Sequence, residues 1–265
     1  MQSATSVLFA CAAGTILLLC SCQKDLAIKQ EQEIKSTALV NENNYCRIES
    51  VWENPGLSNE RYRLILYDEY ENPVAITTPV ISSASSYRTF KYDQWHRLRE
   101  FRSEFTRGIF EIWHFYGYDQ SGLINVDTAY IFGDMNSGKP ENYFERAIET
   151  IEYDNQNRIR RTTRTDSHGF TSSDQYDYDI NGNLIEPGRV YDNNMNINRT
   201  NDIWMFINRD YSMNNSFVAD EYNTSGFPTT INATHQLYIG FARTDINLSN
   251  SRISYSCRPA SSGVY

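Results

Sequence analysis

One short phrase recurs along the chain and limits what it can fold into. It reads Tyr67-Asp68-Glu69-Tyr70-Glu71-Asn72-Pro73-Val74, then Tyr92-Asp93-Gln94-Trp95-His96-Arg97-Leu98, then Tyr118-Asp119-Gln120-Ser121-Gly122-Leu123. It returns as Tyr153-Asp154-Asn155-Gln156-Asn157-Arg158-Ile159, Tyr178-Asp179-Ile180-Asn181-Gly182-Asn183-Leu184 and Tyr222-Asn223-Thr224-Ser225-Gly226-Phe227. In each, an aromatic ends a strand and Asp or Asn accepts backbone N–H groups to start a turn. Gly or Asn then tolerates left-handed backbone, and an aliphatic residue opens the return strand. The first five tyrosines lie 25, 26, 35 and 25 residues apart, about two strands and two turns. Each phrase should therefore mark an equivalent turn at one end of a meandering antiparallel sheet. The expected fold is mainly β, an antiparallel meander of repeated hairpins, as an open sheet or a small barrel.

Composition agrees, with 19 Tyr and 13 Phe in 265 residues. Thr200 to Tyr211 breaks the pattern: capping residues lead into Ile203, Ile207 and Tyr211 at helical spacing, with Trp204 and Phe206 beside them. This predicts one short helix in the C-terminal third, covering a face or end of the sheet.

The first segment addresses the compartment. Val7 to Cys20 is apolar, of signal-peptide length and too short for a membrane span. It runs into Leu19-Cys20-Ser21-Cys22, which resembles a bacterial lipobox. That resemblance implies cleavage after residue 21 and a lipid on Cys22. The expected organisation is a signal peptide over 1–21, a lipidated polar tether over 22–43 and a β domain over 44–265. Attachment to a membrane would then run through the N-terminal lipid. Beyond the lipobox only Cys46 and Cys257 remain, near the two ends of the body. An oxidising compartment allows them a disulfide, the alternative being two separately buried thiols.

The Tyr-Asp phrase resembles the YD repeat of Rhs-type surface and toxin proteins, in the degenerate form found in Bacteroidetes-type lipoproteins of unknown function. Tyr191 to Ile197, Ile203-Trp204-Met205-Phe206, Arg209 to Asn215 and Tyr222 to Thr229 occur in the order such lipoproteins show. The resemblance covers about residues 45–257. It implies a repetitive β-sheet and transfers no activity. The combined expectation is an outer-membrane lipoprotein facing periplasm or exterior.

Several apparent motifs have plainer readings. Gly133 to Lys139 has phosphate-loop spacing, but Pro140 stands where Ser or Thr must ligate magnesium, so a turn between strands is expected. Asp177, Asp179 and Asn181 match the first half of a calcium loop; the closing twelfth position is Gly188, which leaves only a weak metal candidate. His96, His114, His168 and His235 lie far apart without metal-ligand spacing, and His114 alternates with Ile112 and Tyr116 on a strand. Arg158, Arg160, Arg161 and Arg164 form a basic cluster, read as a solvated face or a docking patch for an acidic group. No cofactor motif is present. The formal net charge of −9 disfavours nucleic acid as a partner.

Trp95, Trp113, Tyr116 and Tyr118 give the positive hint of binding. If exposed, such rings stack on sugars; the competing expectation is a sheet core. The functional expectation is a non-catalytic binding or structural module of the envelope, its ligand a glycan or an envelope protein. The alternative is a glycan-acting hydrolase, whose paired carboxylates no spacing identifies.

Overall fold

The computed structural model describes residues 44–78, 87–106, 108–232, 240–241 and 244–259. The signal segment, the tether with Cys22, and His235 lie outside them. The strands are β1 (Asn44–Glu53), β2 (Arg61–Tyr67), β3 (Pro73–Thr77), β4 (Tyr87–Tyr92), β5 (Leu98–Thr106) and β6 (Ile109–Tyr118). They continue as β7 (Ile124–Asn136), β8 (Lys139–Glu141), β9 (Glu145–Tyr153), β10 (Ile159–Asp166) and β11 (Thr171–Gln175). After helix α1 (Asp202–Asn208) come β12 (Glu221–Tyr222), β13 (Pro228–Asn232), β14 (Gly240–Phe241), β15 (Ile246–Asn247) and β16 (Asn250–Pro259).

All except β14 and β15 join one open antiparallel sheet, ordered β11-β10-β9-β7-β6-β5-β4-β3-β2-β1-β16-β13-β12, with β8 beside β7. From β1 to β11 it is a meander. The last long strand, β16, then returns to the free side of β1, where Cys46 faces Cys257 in register and a disulfide joins them. The sheet does not close: β11 and β12 are its edges. All five residues of β11 are exposed, and all are polar, which suits an unpaired edge.

The repeated phrase builds one turn over and over. Oδ1 of Asp68, Asp93, Asp119, Asp154 and Asp179 each accepts the N–H groups two and four residues on. Asn223 does the same. The fourth residue of each loop has positive φ, at Glu71, His96, Gly122, Asn157, Gly182 and Gly226. A seventh copy at Asp166 repeats every contact without the tyrosine, at the other end of the strands. The interval of 35 residues is explained by the extra β7–β8 hairpin, which also contains Gly133 to Lys139; Ser137 and Gly138 form its tip.

The tyrosines do more than end strands. Tyr92 Oη donates to the carbonyl of Pro73, Tyr118 to Leu98, Tyr153 to Ile124 and Tyr178 to Ile159. Each acceptor opens the return strand of the preceding phrase. These repeats are thus latched to their predecessors by half-buried hydroxyls whose alternative would be an unsatisfied donor.

The inner face of the sheet packs on α1. Phe90 meets Trp204 edge-on at 5.6 Å, and Tyr116 meets Phe206 edge-on at 5.3 Å. Ile48, Ile76, Leu98, Phe101, Ile151 and Ile159 complete the core around them. The helix is shorter than the expected span of 200–211. Asn201 caps it by accepting from Ile203 N–H, and Arg209 ends it in left-handed backbone at φ 55°. A 3-10 turn at Ile197–Thr200 precedes it. Among the described residues, no helix is long and apolar enough to cross a membrane.

Candidate functional site

Alternation along a strand sends every second side chain to the inner face. On β9 those positions are Ala147, Glu149 and Ile151, all buried. A charged residue therefore sits in an apolar phase. Cross-strand pairing continues the pattern: Tyr116 on β6 faces Asp127 on β7, Asp127 faces Glu149 on β9, and Glu149 faces Arg164 on β10. Next to this row, His114 on β6 pairs with Ala129 on β7. The row crosses the strands a few residues in from the Tyr-Asp turns.

Arg209 enters the row from the end of α1. Its guanidinium donates to Glu149 at 2.5 Å and lies 3.6 Å from Asp127. Burial works against its charge, but Glu149 and Asp127 outweigh that and hold its proton more firmly than in an ordinary arginine. Asp127 also grips His114, with both carboxylate oxygens on Nδ1 at 2.8 and 3.0 Å. His114 is 5% exposed, Asp127 2% and Arg209 5%. Among the described residues nothing bonds His114 Nε2, and that atom is not one of those sealed from solvent.

His114, Asp127 and Glu149 line a pocket of about 450 Å³ cut into the inner face. Arg88, Glu111, Arg164 and Asp245 supply its remaining charge, while Ile112, Ala129, Ile131 and Phe132 supply apolar wall. Ser103 Oγ donates to Glu111, and Arg88 lies 3.3 Å from Asp245. Burial and the neighbouring Arg63 push the Arg88 pKa down from the usual arginine value. The arrangement can orient a polar ligand, and an imidazole fixed by a carboxylate can accept or donate a proton at Nε2.

The structure places the sequence-identified residues differently. Trp95, Trp113, Tyr116 and Tyr118 do not form one platform. Trp95 is exposed on a turn with the Arg97 guanidinium over its ring. Trp113 is fully buried and donates to Glu100 Oε2; Lys91 and Arg102 cover its ring. Tyr116 packs into the core on α1, and Tyr118 is a rung of the tyrosine ladder. One strand sends its aromatics to opposite faces, and each face has a use for them.

The residues of the calcium candidate serve turn structure. Asp179 is committed to the N–H groups of Asn181 and Asn183, and Asp177 accepts from Gln175. Among the described residues, no three His, Cys, Asp or Glu side chains gather to hold a metal. The arginine cluster is spent on neighbours: Arg158 pairs with Asp154, Arg160 and Arg161 with Glu152, and Arg164 with Glu145. His96 stacks on Tyr70, and His168 belongs to the Asp166 turn.

Sequence reasoning does not single out Asp127, Glu149, Arg88 or Arg209. A signal for Glu149 is present all the same: it shares its strand phase with Ala147 and Ile151, so an acid stands where an aliphatic residue belongs. Comparison of the chain with protein-family models and with curated proteins finds no match.

Proposed function

We propose that this chain is an exported, lipid-anchored envelope protein whose sheet is a binding module, with the inner-face pocket as its ligand site. The observation that carries the site is the His114–Asp127–Glu149–Arg209 network at the wall of a water-accessible pocket. A core could be filled more cheaply with apolar side chains, because buried ion pairs are often no more stabilising than their hydrophobic replacements. Export is supported by the Cys46–Cys257 disulfide, a bond that persists in oxidising compartments. The repeated turns and tyrosine ladder support kinship with the YD-repeat lipoproteins.

Two experiments test this reading. A bacterial host fed labelled palmitate should lipidate the chain but not its Cys22→Ala variant; an unlabelled wild type would remove the anchor. A thermal-shift screen of the full chain against small sugars, anions and amines should give a saturable rise with one class. No rise with any class counts against a small-ligand site and favours a protein partner or a structural role.

The fixed imidazole also favours a second reading, a hydrolase in which His114 Nε2 activates water. A reducing-end assay on polysaccharides would support it only if His114→Gln abolished turnover.

A further inference from the structure

We propose that the inner-face pocket takes a neutral, hydroxyl-rich sugar unit. This rests on the binding reading above and narrows it to one chemical class.

Charge excludes the simplest competitors. The wall presents Arg88 and Arg164 against Glu111, Asp127, Glu149 and Asp245, so an anionic ligand meets an excess of acids. Most of that charge is already compensated: Arg209 holds Glu149 and Asp127, Asp245 holds Arg88, and Glu145 holds Arg164. A cationic ligand would have to compete with guanidinium groups already in place. What the pocket displays is a set of donors and acceptors most of whose charges already have a partner.

His114 makes a more specific demand. His114 is 5% exposed and lines the pocket, Asp127 occupies its Nδ1, and its Nε2 has no partner among the described residues. An accessible imidazole nitrogen in so confined a place is open to a hydrogen bond from a ligand or water. A hydroxyl fits whichever way the proton lies, since it can both donate and accept. Several hydroxyls on one ring would suit Glu111 as acceptor and Arg88 or Arg164 as donor in the same way.

The apolar wall completes the match. Phe132 is 56% exposed at the rim with φ 44°, and it borders the pocket together with Ile112 and Ile131. An exposed ring beside hydrogen-bonding groups is what the C–H face and hydroxyl edge of a sugar require. The pocket volume also lies in the small-ligand range of about 300–1,000 Å³.

The test titrates full chain carrying labelled histidine with three sets of probes: neutral mono- and disaccharides, the anions glucuronate and phosphate, and the amines choline and putrescine. The chain has only four histidines, so His114→Gln assigns the relevant imidazole signals. Expected is saturable binding of at least one neutral sugar that moves the His114 signals. Phe132→Ala should weaken it by about tenfold and Trp95→Ala should leave it unchanged. Binding of anions or amines in place of sugars, with His114 moving, overturns the sugar inference and keeps the pocket as a ligand site. If sugars bind without moving His114, or if no probe moves it, the pocket assignment falls as well.

Discussion

The tyrosine hydroxyls show how a single atom can hold a repeat in place. Tyr92 donates to Pro73 O at 2.7 Å from a largely buried position. Tyr92→Phe should cost about 1 kcal/mol of unfolding free energy in urea titrations, since it leaves the carbonyl without its donor. Burial raises the pKa of Tyr67, Tyr92, Tyr118, Tyr153 and Tyr178 above the ordinary phenol value, most strongly for Tyr92. The folded state therefore binds these protons more tightly than the unfolded state. Their contribution is fully present below about pH 10 and declines as pH rises above it. Melting temperature should therefore begin to fall only above about pH 10 and keep falling as pH rises further, and fall less steeply in Tyr92→Phe. Arg209 makes a similar argument with charge. Arg209→Met would leave Glu149 and Asp127 buried without their cation, at a cost of about 3–5 kcal/mol. Adding Glu149→Gln should recover part of that loss; a strictly additive double variant would mean that the two side chains are not coupled.

At the scale of elements, the helix and the hairpins have different origins. The Tyr-Asp turns are local: each Asp carboxylate and the N–H groups it accepts lie within one loop, so the pattern is readable before any fold is known. Helix α1 is too short to stand alone and depends on the sheet for stability. Trp204 is fully buried, and Trp204→Ala should lower stability by about 3–5 kcal/mol, measured by chemical denaturation. A loss under 1 kcal/mol, roughly the scale of an exposed change, would contradict the packing described. Its shortened C-terminal end also follows from tertiary structure, because Arg209 leaves helical backbone as its side chain reaches Glu149. The same division applies to β6. Strand character and alternation can be read from His114, Tyr116 and Tyr118. Which face is sealed by α1, and which by Lys91 and Arg102, cannot.

At the scale of the whole molecule, the decisive contact joins the ends. β16 pairs with β1, and the Cys46–Cys257 disulfide spans 211 residues of sequence. Its loss, by reduction or by Cys46→Ala with Cys257→Ala, should cost about 2–5 kcal/mol, read as a lower melting temperature. An unchanged melting curve would show that the end strands hold without it. Sequence alone determined the β class, the turn positions and the site of a short helix, because these depend on hydrogen bonds and side-chain alternation over a few residues. Tertiary structure decided that the sheet stays open, that Trp113 is covered and that Asp127, Glu149 and Arg209 converge beside His114. Those outcomes depend on neighbours supplied by distant strands and on which polar groups can satisfy one another once water is excluded.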